Sequence, residues 1–133
     1  MIREKSCGAV IYNEEQGRRL YLIEHMLGGH YAMCKGHVED GETEAETAIR
    51  EIREETGLEV RLDTSFRERV TYCPADGHLK EVIYFIGRCD TRETIHQIEE
   101  VRDICWLPYD QAMQKLTFEN DREVLKRADR WLS

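Results

Sequence analysis

Apolar residues fall in short runs separated by polar or glycine-containing segments, and this pattern is typical of β-strands. The runs at residues 7–12 and 20–25 flank the polar segment NEEQGRR, so we expect them to form a hairpin. The run KEVIYFIGRC, at residues 80–89, is the strongest strand candidate and is expected near the centre of a sheet. Other strands are predicted around Tyr31 and Met33 and at residues 58–72 and 101–107.

The period of the pattern becomes helical after residue 43. A stripe that is predicted to face the sheet is formed by four residues at helical spacing, Ala45, Ala48, Ile49 and Ile52. Thr43 and Glu46 have the spacing of a capping box, and Gly57 suits a left-handed cap at the other end. Two more helices are predicted, one after Pro108 and one at residues 118–132.

Strands and helices in this order predict an α/β protein, in which helices pack against a mixed sheet. The 133 residues are enough to bury a core, and residues 1–133 are expected to form one domain without repeats or linkers. Tyr84, Trp106 and Trp131 are predicted to lie in the core, whereas Glu44 is predicted to face solvent.

Charge and composition narrow the range of partners. The net charge of −8 argues against sequence-independent binding to duplex nucleic acid, which depends on basic surfaces. Apolar runs are too short for a membrane span or a signal-peptide core, so we expect no membrane association. Five cysteines without C-x-x-C spacing are predicted to be reduced thiols, mostly in the core, which favours a cytoplasmic protein.

The segment GHVEDGETEAETAIREIREETGL, residues 36–58, holds seven glutamates and one aspartate within 23 residues. Glu51, Glu54 and Glu55 fall at i, i+3 and i+4, so their carboxylates share one patch beside the apolar stripe. Such like charges destabilise a helix, and Arg50 and Arg53 are expected on other faces. The spacing leaves two interpretations open: a solvated acidic surface, or oxygen ligands for Mg²⁺ or Mn²⁺.

The same segment resembles the Nudix box, G-x5-E-x7-R-E-U-x-E-E-x-G-U, in which U is a bulky aliphatic residue. Its constrained positions are all matched, by Gly36, Glu42, Arg50, Glu51, Ile52, Glu54, Glu55, Gly57 and Leu58. The resemblance implies the fold of Nudix hydrolases, an α/β/α sandwich with a mixed central sheet. It also implies hydrolysis of a nucleoside diphosphate linked to another moiety.

The resemblance further implies roles for the matched residues. Glu42 and Arg50 would pair and brace the loop against the helix, which orients the metal ligands. Bound Mg²⁺ or Mn²⁺ would polarise a phosphoryl group and neutralise charge on the leaving phosphate. The ligands of these ions would be the backbone carbonyl of Gly36 and the carboxylates of Glu51, Glu54 and Glu55.

The sequence leaves more than one candidate for the general base. Glu51 and Glu54 are candidates within the box. The loop before residue 101 offers Glu99 and Glu100, of which we favour Glu100 as a base or an additional metal ligand. The alternative is that both loop glutamates are ordinary solvated charges.

Outside the box, KGHVEDGE, KEVIYFIGRC and residues 99–132 resemble the asymmetrical diadenosine tetraphosphate hydrolases. This resemblance implies that Lys35 and Lys80 contact phosphate oxygens and that His37 touches a terminal phosphate. It also implies that Tyr72 and Phe118 hold an adenine ring by stacking. Without the resemblance, these lysines are ordinary surface residues and the aromatic residues are divided between core and pocket.

The segment HYAMCKGH departs from that branch, because Tyr31 and Cys34 stand where the branch has a tryptophan and prolines. The predicted activity is metal-dependent hydrolysis of a pyrophosphate bond, with a dinucleoside tetraphosphate as the leading substrate. Alternatives are a nucleoside triphosphate pyrophosphatase, a hydrolase of ADP-ribose or another nucleotide sugar, and an RNA 5′-end hydrolase. A Nudix-fold module that binds nucleotide without turnover is disfavoured by the complete carboxylate set. We expect a monomer or homodimer that acts on a small-molecule nucleotide.

Overall fold

A computed structural model of the chain describes residues 2–95, 97 and 99–133. The strands are β1 (Ile2–Glu15), β2 (Arg18–Met26), β3 (Tyr31–Ala32), β4 (Lys35–His37), β5 (Arg61–Ala75), β6 (His78–Arg88) and β7 (Val101–Leu107). The helices are α1 (Glu44–Thr56), α2 (Tyr109–Lys115) and α3 (Glu119–Leu132). Within these described ranges, no helix has both the length and the apolar composition needed to cross a membrane.

The strands form one mixed sheet in the order β3-β2-β1-β6-β5, with β4 paired to β1 and β7 paired to β2. The predicted hairpin is present, since β1 and β2 are antiparallel, and its two-residue turn uses positive φ at Gln16 and Gly17. The run at residues 80–89 lies inside the sheet as predicted, because β6 is parallel to β1 and antiparallel to β5. Strand β1 extends beyond both predicted ends into polar segments, whereas β5 begins and ends three residues later than the predicted 58–72.

Helices cover both faces of the sheet, which confirms the predicted α/β/α sandwich. Strand β1 shows the division most clearly, because its consecutive side chains are buried on opposite faces. Cys7 and Ile11 pack in the core beneath α1, whereas Val10 and Tyr12 pack in the core beneath α2 and α3.

The ends of α1 are as predicted. Thr43 and Glu46 form a reciprocal capping box, and Gly57 has φ of 74° and donates its N–H to the carbonyl of Arg53. These caps fix where α1 begins and ends, and therefore which of its side chains meet the sheet.

The buried face of α1 is turned relative to the predicted stripe. Ala48 and Ile52 are fully buried as expected, but Ala45 and Ile49 are only partly buried. Glu55 is buried instead, with 2% of its surface exposed. This rotation directs one carboxylate of the acidic patch into the protein interior rather than to its surface.

Two predictions about the core are wrong. Trp131 is 52% exposed, because it lies at the end of α3, where its ring packs edge-on against Phe66 and its Nε1 donates to Asp63. Cys73 is exposed, although all five cysteines are free thiols as expected. Tyr84 is buried as predicted.

Glu44 does not face solvent as predicted but joins α1 to the sheet. Its carboxylate lies 2.6 Å from Nζ of Lys5 on β1 and 2.8 Å from Nη2 of Arg67 on β5. These hydrogen bonds, that of Arg67 first, lower the pKa of Glu44 to about 2. A lowered pKa stabilises the folded state above the ordinary value of 4.5, and this stabilisation is lost as the pH falls toward 2.

Glu44→Gln is therefore expected to lower the free energy of unfolding by about 1 kcal/mol at pH 7, after discounting for solvent screening. The difference from the unmodified protein should shrink below pH 4 and vanish near pH 2, as measured by denaturant unfolding across that range. Glu123→Gln, which changes an exposed glutamate of α3, is the control and should leave stability unchanged. An effect of Glu44→Gln that is independent of pH would contradict this account.

Candidate active site

A buried cluster of acidic and thiol side chains lies between α1 and the sheet. Glu55 reaches inward from α1 and meets Glu24 of β2 and Cys34, which lies just before β4. One ligand atom from each of these residues lies within 4.8 Å of the other two. Sequence analysis missed Glu24, which lies on an apolar strand far from the box.

The electrostatics of this cluster favour a bound cation. Burial, followed by the negative charge of Glu24 and the proximity of Glu51, raises the pKa of Glu55 to about 10. Burial also raises the pKa of Glu24. Within the described part of the chain, no group donates a hydrogen bond to Oε2 of Glu24. Two carboxylates buried this close together either share a proton or bind a divalent cation. Because carboxylate oxygens are ligands for divalent cations, the residues present fit a bound cation.

Glu51 connects the buried cluster to the loop that precedes α1. Its carboxylate packs directly on the Cα of Gly36 in β4, because a Cβ placed there would overlap it. Glycine at this position therefore allows the carboxylate of Glu51 and the backbone of β4 to approach each other. Glu51 and Gly36, which the resemblance makes ligands of the same ions, are therefore adjacent in the structure.

Arg50 lies inside the acidic patch, so the expectation that it occupies another face is wrong. Its Nη1 donates to Glu51 at 2.9 Å and to Glu54 at 3.1 Å. The long arginine side chain bends back over the patch, which spacing along the helix does not reveal. Arg53 does point away, and forms a two-pronged pair with Glu59.

The ion pair between Glu42 and Arg50 is present. Arg50 donates from Nε at 2.7 Å and from Nη2 at 3.0 Å to the two carboxylate oxygens of Glu42. Its Nη2 also donates to the carbonyl of His37, at 2.8 Å. The hydrogen bonds that Glu42 accepts, first from Arg50 and then from the backbone N–H of Glu39, lower its pKa to about 2. The loop between β4 and α1 is thereby held to the helix that carries the carboxylates.

The other two candidate carboxylates are exposed. The side chain of Glu54 is 46% exposed, and among the residues that the structure describes it accepts a hydrogen bond from Arg50 alone. Glu100 lies in a turn directly before β7, where its carbonyl accepts from the N–H of Leu27. The charge of Glu100 contributes to the raised pKa of Glu24, so it lies within electrostatic range of the buried cluster.

A cavity of about 410 Å³ lies on the α3 side of the sheet, over β5 and β6. It brings together four of the five predicted substrate contacts, Lys35, Tyr72, Lys80 and Phe118. His37 is not among the lining residues; its side chain is 67% exposed and lies 3.6 Å from Glu4. His37 points away from the cavity because β4 turns its side chain outward while its carbonyl accepts from Arg50.

Among the other lining residues, the sequence did not single out His30, Asn120 and Asp121 as part of a site. His30 packs against Phe118, with ring centroids 5.6 Å apart. The hydroxyl of the buried Tyr84 donates to Asp121 at 3.2 Å, and burial raises the pKa of Asp121. Asn120 and Asp121 lie in the first turn of α3, which begins just after Phe118, so their polarity at the start of an amphipathic helix was the available signal.

Lys35 joins the cavity to the acidic cluster. It lines the cavity, and its positive charge acts to lower the pKa of Asp121 on one side and of Glu24 on the other. Lys35 therefore places a cationic side chain at the cavity, one residue before the backbone on which the carboxylate of Glu51 packs.

Comparisons with known proteins agree with this site. The family model described as NUDIX domain matches residues 3–128. An asymmetrical bis(5′-nucleosyl)-tetraphosphatase of Rattus norvegicus is 35% identical over 140 residues, covering 96% of this chain and 95% of the rat protein. An 8-oxo-(d)GTP phosphatase of Mycolicibacterium smegmatis is 39% identical over 97 residues, covering 73% of this chain but only 29% of that protein.

Among solved structures, a binary complex of a C. elegans Ap4A hydrolase superposes with a TM-score of 0.88 at 24% identity, covering 97% of each chain. At this identity the likeness supports the fold. The family match spans most of the chain and coincides with the box residues gathered at α1. The chain belongs to the Nudix family and is a pyrophosphohydrolase of that family.

Proposed function

We propose that this protein hydrolyses a pyrophosphate bond in a nucleoside polyphosphate, with a dinucleoside tetraphosphate as substrate. The observation that carries the proposal is the position of Lys35, which lines the aromatic cavity and directly precedes Gly36, where the carboxylate of Glu51 packs. A nucleoside held in the cavity would direct its phosphate chain past Lys35 toward those carboxylates. The rat relative, which resembles this chain over nearly its whole length, is a tetraphosphatase by name.

The side chains of the cavity suit a nucleotide. Tyr72 and Phe118 are partly exposed aromatic residues at its rim, and stacking on such faces tolerates different bases. Lys35 and Lys80 supply positive charge for phosphate oxygens in a protein whose net charge is −8. The cavity thus offers both an apolar surface for a base and a local positive charge for the phosphates.

Hydrolysis needs little covalent chemistry from the protein itself. A water oxygen forms a bond to one phosphorus, the bond from that phosphorus to the bridging oxygen breaks, and the leaving phosphate retains the bridging oxygen. A carboxylate accepts the proton of the water, and Glu51, Glu54 and Glu100 are the candidates for this role. Glu54 and Glu100 are exposed, so a proton accepted there passes directly to solvent.

The proposed cation ligands are the carbonyl of Gly36 and the carboxylates of Glu51, Glu54, Glu55 and Glu100. Mg²⁺ or Mn²⁺ bound there would polarise the phosphoryl group and balance charge on the leaving phosphate. The Glu42–Arg50 pair would keep Glu51 and Glu54 oriented in both the free and the bound protein.

A substrate panel tests the proposal. The kcat/KM for diadenosine tetraphosphate is expected to exceed the values for ATP, 8-oxo-dGTP, ADP-ribose and 5′-triphosphate RNA under identical Mg²⁺ conditions. Identification of the products locates the cleaved bond, and reaction in ¹⁸O-labelled water identifies the phosphorus that is attacked. A higher kcat/KM for any other member of the panel would identify that compound, and not the dinucleoside tetraphosphate, as the preferred substrate.

Phe118→Ala and Tyr72→Ala are each expected to raise KM for the substrate by about 10-fold, because each removes a stacking face. The change in kcat should be smaller, since neither ring lies among the carboxylates. Trp131→Ala is the matched control, because Trp131 and Phe118 have the same exposed fraction of 52% and lie at opposite ends of α3. An equal rise in KM for Trp131→Ala would contradict the interpretation that Phe118 and Tyr72 stack on the base.

A second candidate is hydrolysis of a modified nucleoside triphosphate. The M. smegmatis relative, an 8-oxo-(d)GTP phosphatase by name, has the higher identity over the shorter alignment. Asn120 and Asp121 line the cavity, and their side chains can form hydrogen bonds with the polar edge of a base. A preference for 8-oxo-dGTP over dGTP in the panel would support this candidate.

A further inference from the structure

We propose that Glu24, Cys34 and Glu55 form a buried site for one thiophilic divalent cation of the Zn²⁺ class. The thiol is the distinguishing feature of this site. Mg²⁺ and Mn²⁺ prefer oxygen ligands, whereas a ligand set that combines a cysteine sulfur with carboxylates favours Zn²⁺ or Co²⁺. The site shares only Glu55 with the proposed hard-cation ligands of the box.

The geometry of the three ligands is close to that of a tetrahedral ion. With metal–sulfur and metal–oxygen distances of about 2.3 and 2.1 Å, ligand atoms stand about 3.6 Å apart. Sγ of Cys34 and Oε1 of Glu55 are already 3.6 Å apart. The remaining ligand atom, from Glu24, lies within 4.8 Å of both, so it must approach them by no more than about 1.2 Å to complete the set.

A second observation, the environment of a buried carboxylate oxygen of Glu24, supports a cation at the same site. Glu24 is 1% exposed, and its Oε2 receives no hydrogen bond from any residue that the structure describes. A buried carboxylate oxygen without a donor is costly, and a cation removes that cost. Glu51 lies beside Glu55 and leads from the cluster toward solvent, so it offers both a fourth ligand and a path of entry.

Binding requires only an exchange of protons for the ion. The thiol proton of Cys34, and any proton shared by the carboxylates, leave to solvent as the metal–ligand bonds form. No electron is transferred. Because Glu55 would then be held by the thiophilic ion, Mg²⁺ would lose one of its ligands, and hydrolysis would be inhibited. This last consequence rests on the proposed function, whereas the binding site does not.

Titration of the metal-free full chain with Co²⁺ tests the site, because cobalt bound to a thiolate has a charge-transfer band in the near ultraviolet. We expect one Co²⁺ per chain, a band that Zn²⁺ abolishes by displacement, and loss of the band in Cys34→Ser. Cys73→Ser removes the exposed thiol and should retain the band. Glu24→Gln should retain the band but weaken Co²⁺ binding by at least about 10-fold, through loss of one ligand charge.

Binding of Co²⁺ without the band would show a site made only of oxygen ligands and would overturn the proposal. Persistence of the band in Cys34→Ser would assign it to another thiol and would also overturn it. Circular dichroism of each variant establishes folding, and Glu24→Gln keeps the test decisive if Cys34→Ser does not fold. Hydrolysis with Mg²⁺ is measured on the same preparations. Absence of hydrolysis with Mg²⁺ alone, in a chain that shows the band when Co²⁺ is added separately, would count against the proposed function and leave the thiophilic site standing.

Discussion

Glu54→Gln is expected to lower kcat by more than about 100-fold while leaving the free energy of unfolding unchanged. The side chain of Glu54 is 46% exposed and contributes no atom to either core cluster, so its replacement removes a ligand charge and little packing. The amide oxygen of glutamine can still accept the hydrogen bond from Arg50. Steady-state kinetics at several Mg²⁺ concentrations, with denaturant unfolding in parallel, provide the measurement.

The matched control for this substitution is Glu59→Gln. Glu59 is also an exposed glutamate paired with an arginine, Arg53, but it lies beyond the end of α1 and away from the acidic cluster. Its kcat is expected to equal that of the unmodified protein. Full activity of Glu54→Gln would remove Glu54 from the proposed metal ligands.

Arg50→Lys is expected to have the second large effect, a loss of about 1–3 kcal/mol in the free energy of unfolding and of about 10- to 100-fold in kcat. Lysine keeps the positive charge but cannot reproduce the planar fork that spans Glu42, Glu51 and the carbonyl of His37. Some of these partly buried acceptors would then lack a donor, and the loop before α1 would be held less firmly.

Arg53→Lys is the natural comparison, because Arg53 forms a similar two-pronged pair with Glu59 on the exposed side of the same helix. Exposed pairs contribute little, so we expect a change in stability below about 0.5 kcal/mol and no change in kcat. Equal effects of the two substitutions, measured by denaturant unfolding and steady-state kinetics, would show that the Glu42–Arg50 contacts have no special role in the site.

The sequence predicted those parts of the fold and site that depend on local spacing. Hydrophobic runs located the strands, and capping signals located the ends of α1. The box positions meet because α1 brings Glu51 to Gly36 of β4 and Glu55, four residues later, to Cys34 just before β4. Such features lie within one element and its caps, so they can be recognised from order along the chain.

The sequence did not predict contacts between distant elements. Glu24 lies in the apolar strand β2, and its approach to Cys34 and Glu55 depends on the packing of three separate segments. The direction in which Arg50 bends is likewise a property of side-chain contacts rather than helix spacing. Exposure of Trp131 follows from its position at the end of α3, where its ring meets Phe66 of β5 edge-on and more than half of its surface stays open to solvent.

The buried carboxylates and the cavity give the site two halves with different requirements. The cavity supplies aromatic faces and lysines that suit a nucleotide, and the cluster around Glu55 needs a cation to balance its charge. Lys35 lines the cavity and precedes Gly36, against which Glu51 packs, so the proposed ligand is one whose phosphate chain reaches both halves. A nucleotide with a long polyphosphate chain meets this requirement better than a nucleoside monophosphate.

The most direct test of this account is the hydrolysis of diadenosine tetraphosphate by the purified chain, with Mg²⁺ present and after removal of divalent cations by chelation. We predict turnover with Mg²⁺ or Mn²⁺, no turnover after chelation, and two unequal products, AMP and ATP. Hydrolysis at the same rate without divalent cations would contradict the metal site. Tight binding of the nucleotide with no product in the presence of Mg²⁺ would contradict the proposed hydrolysis of this substrate.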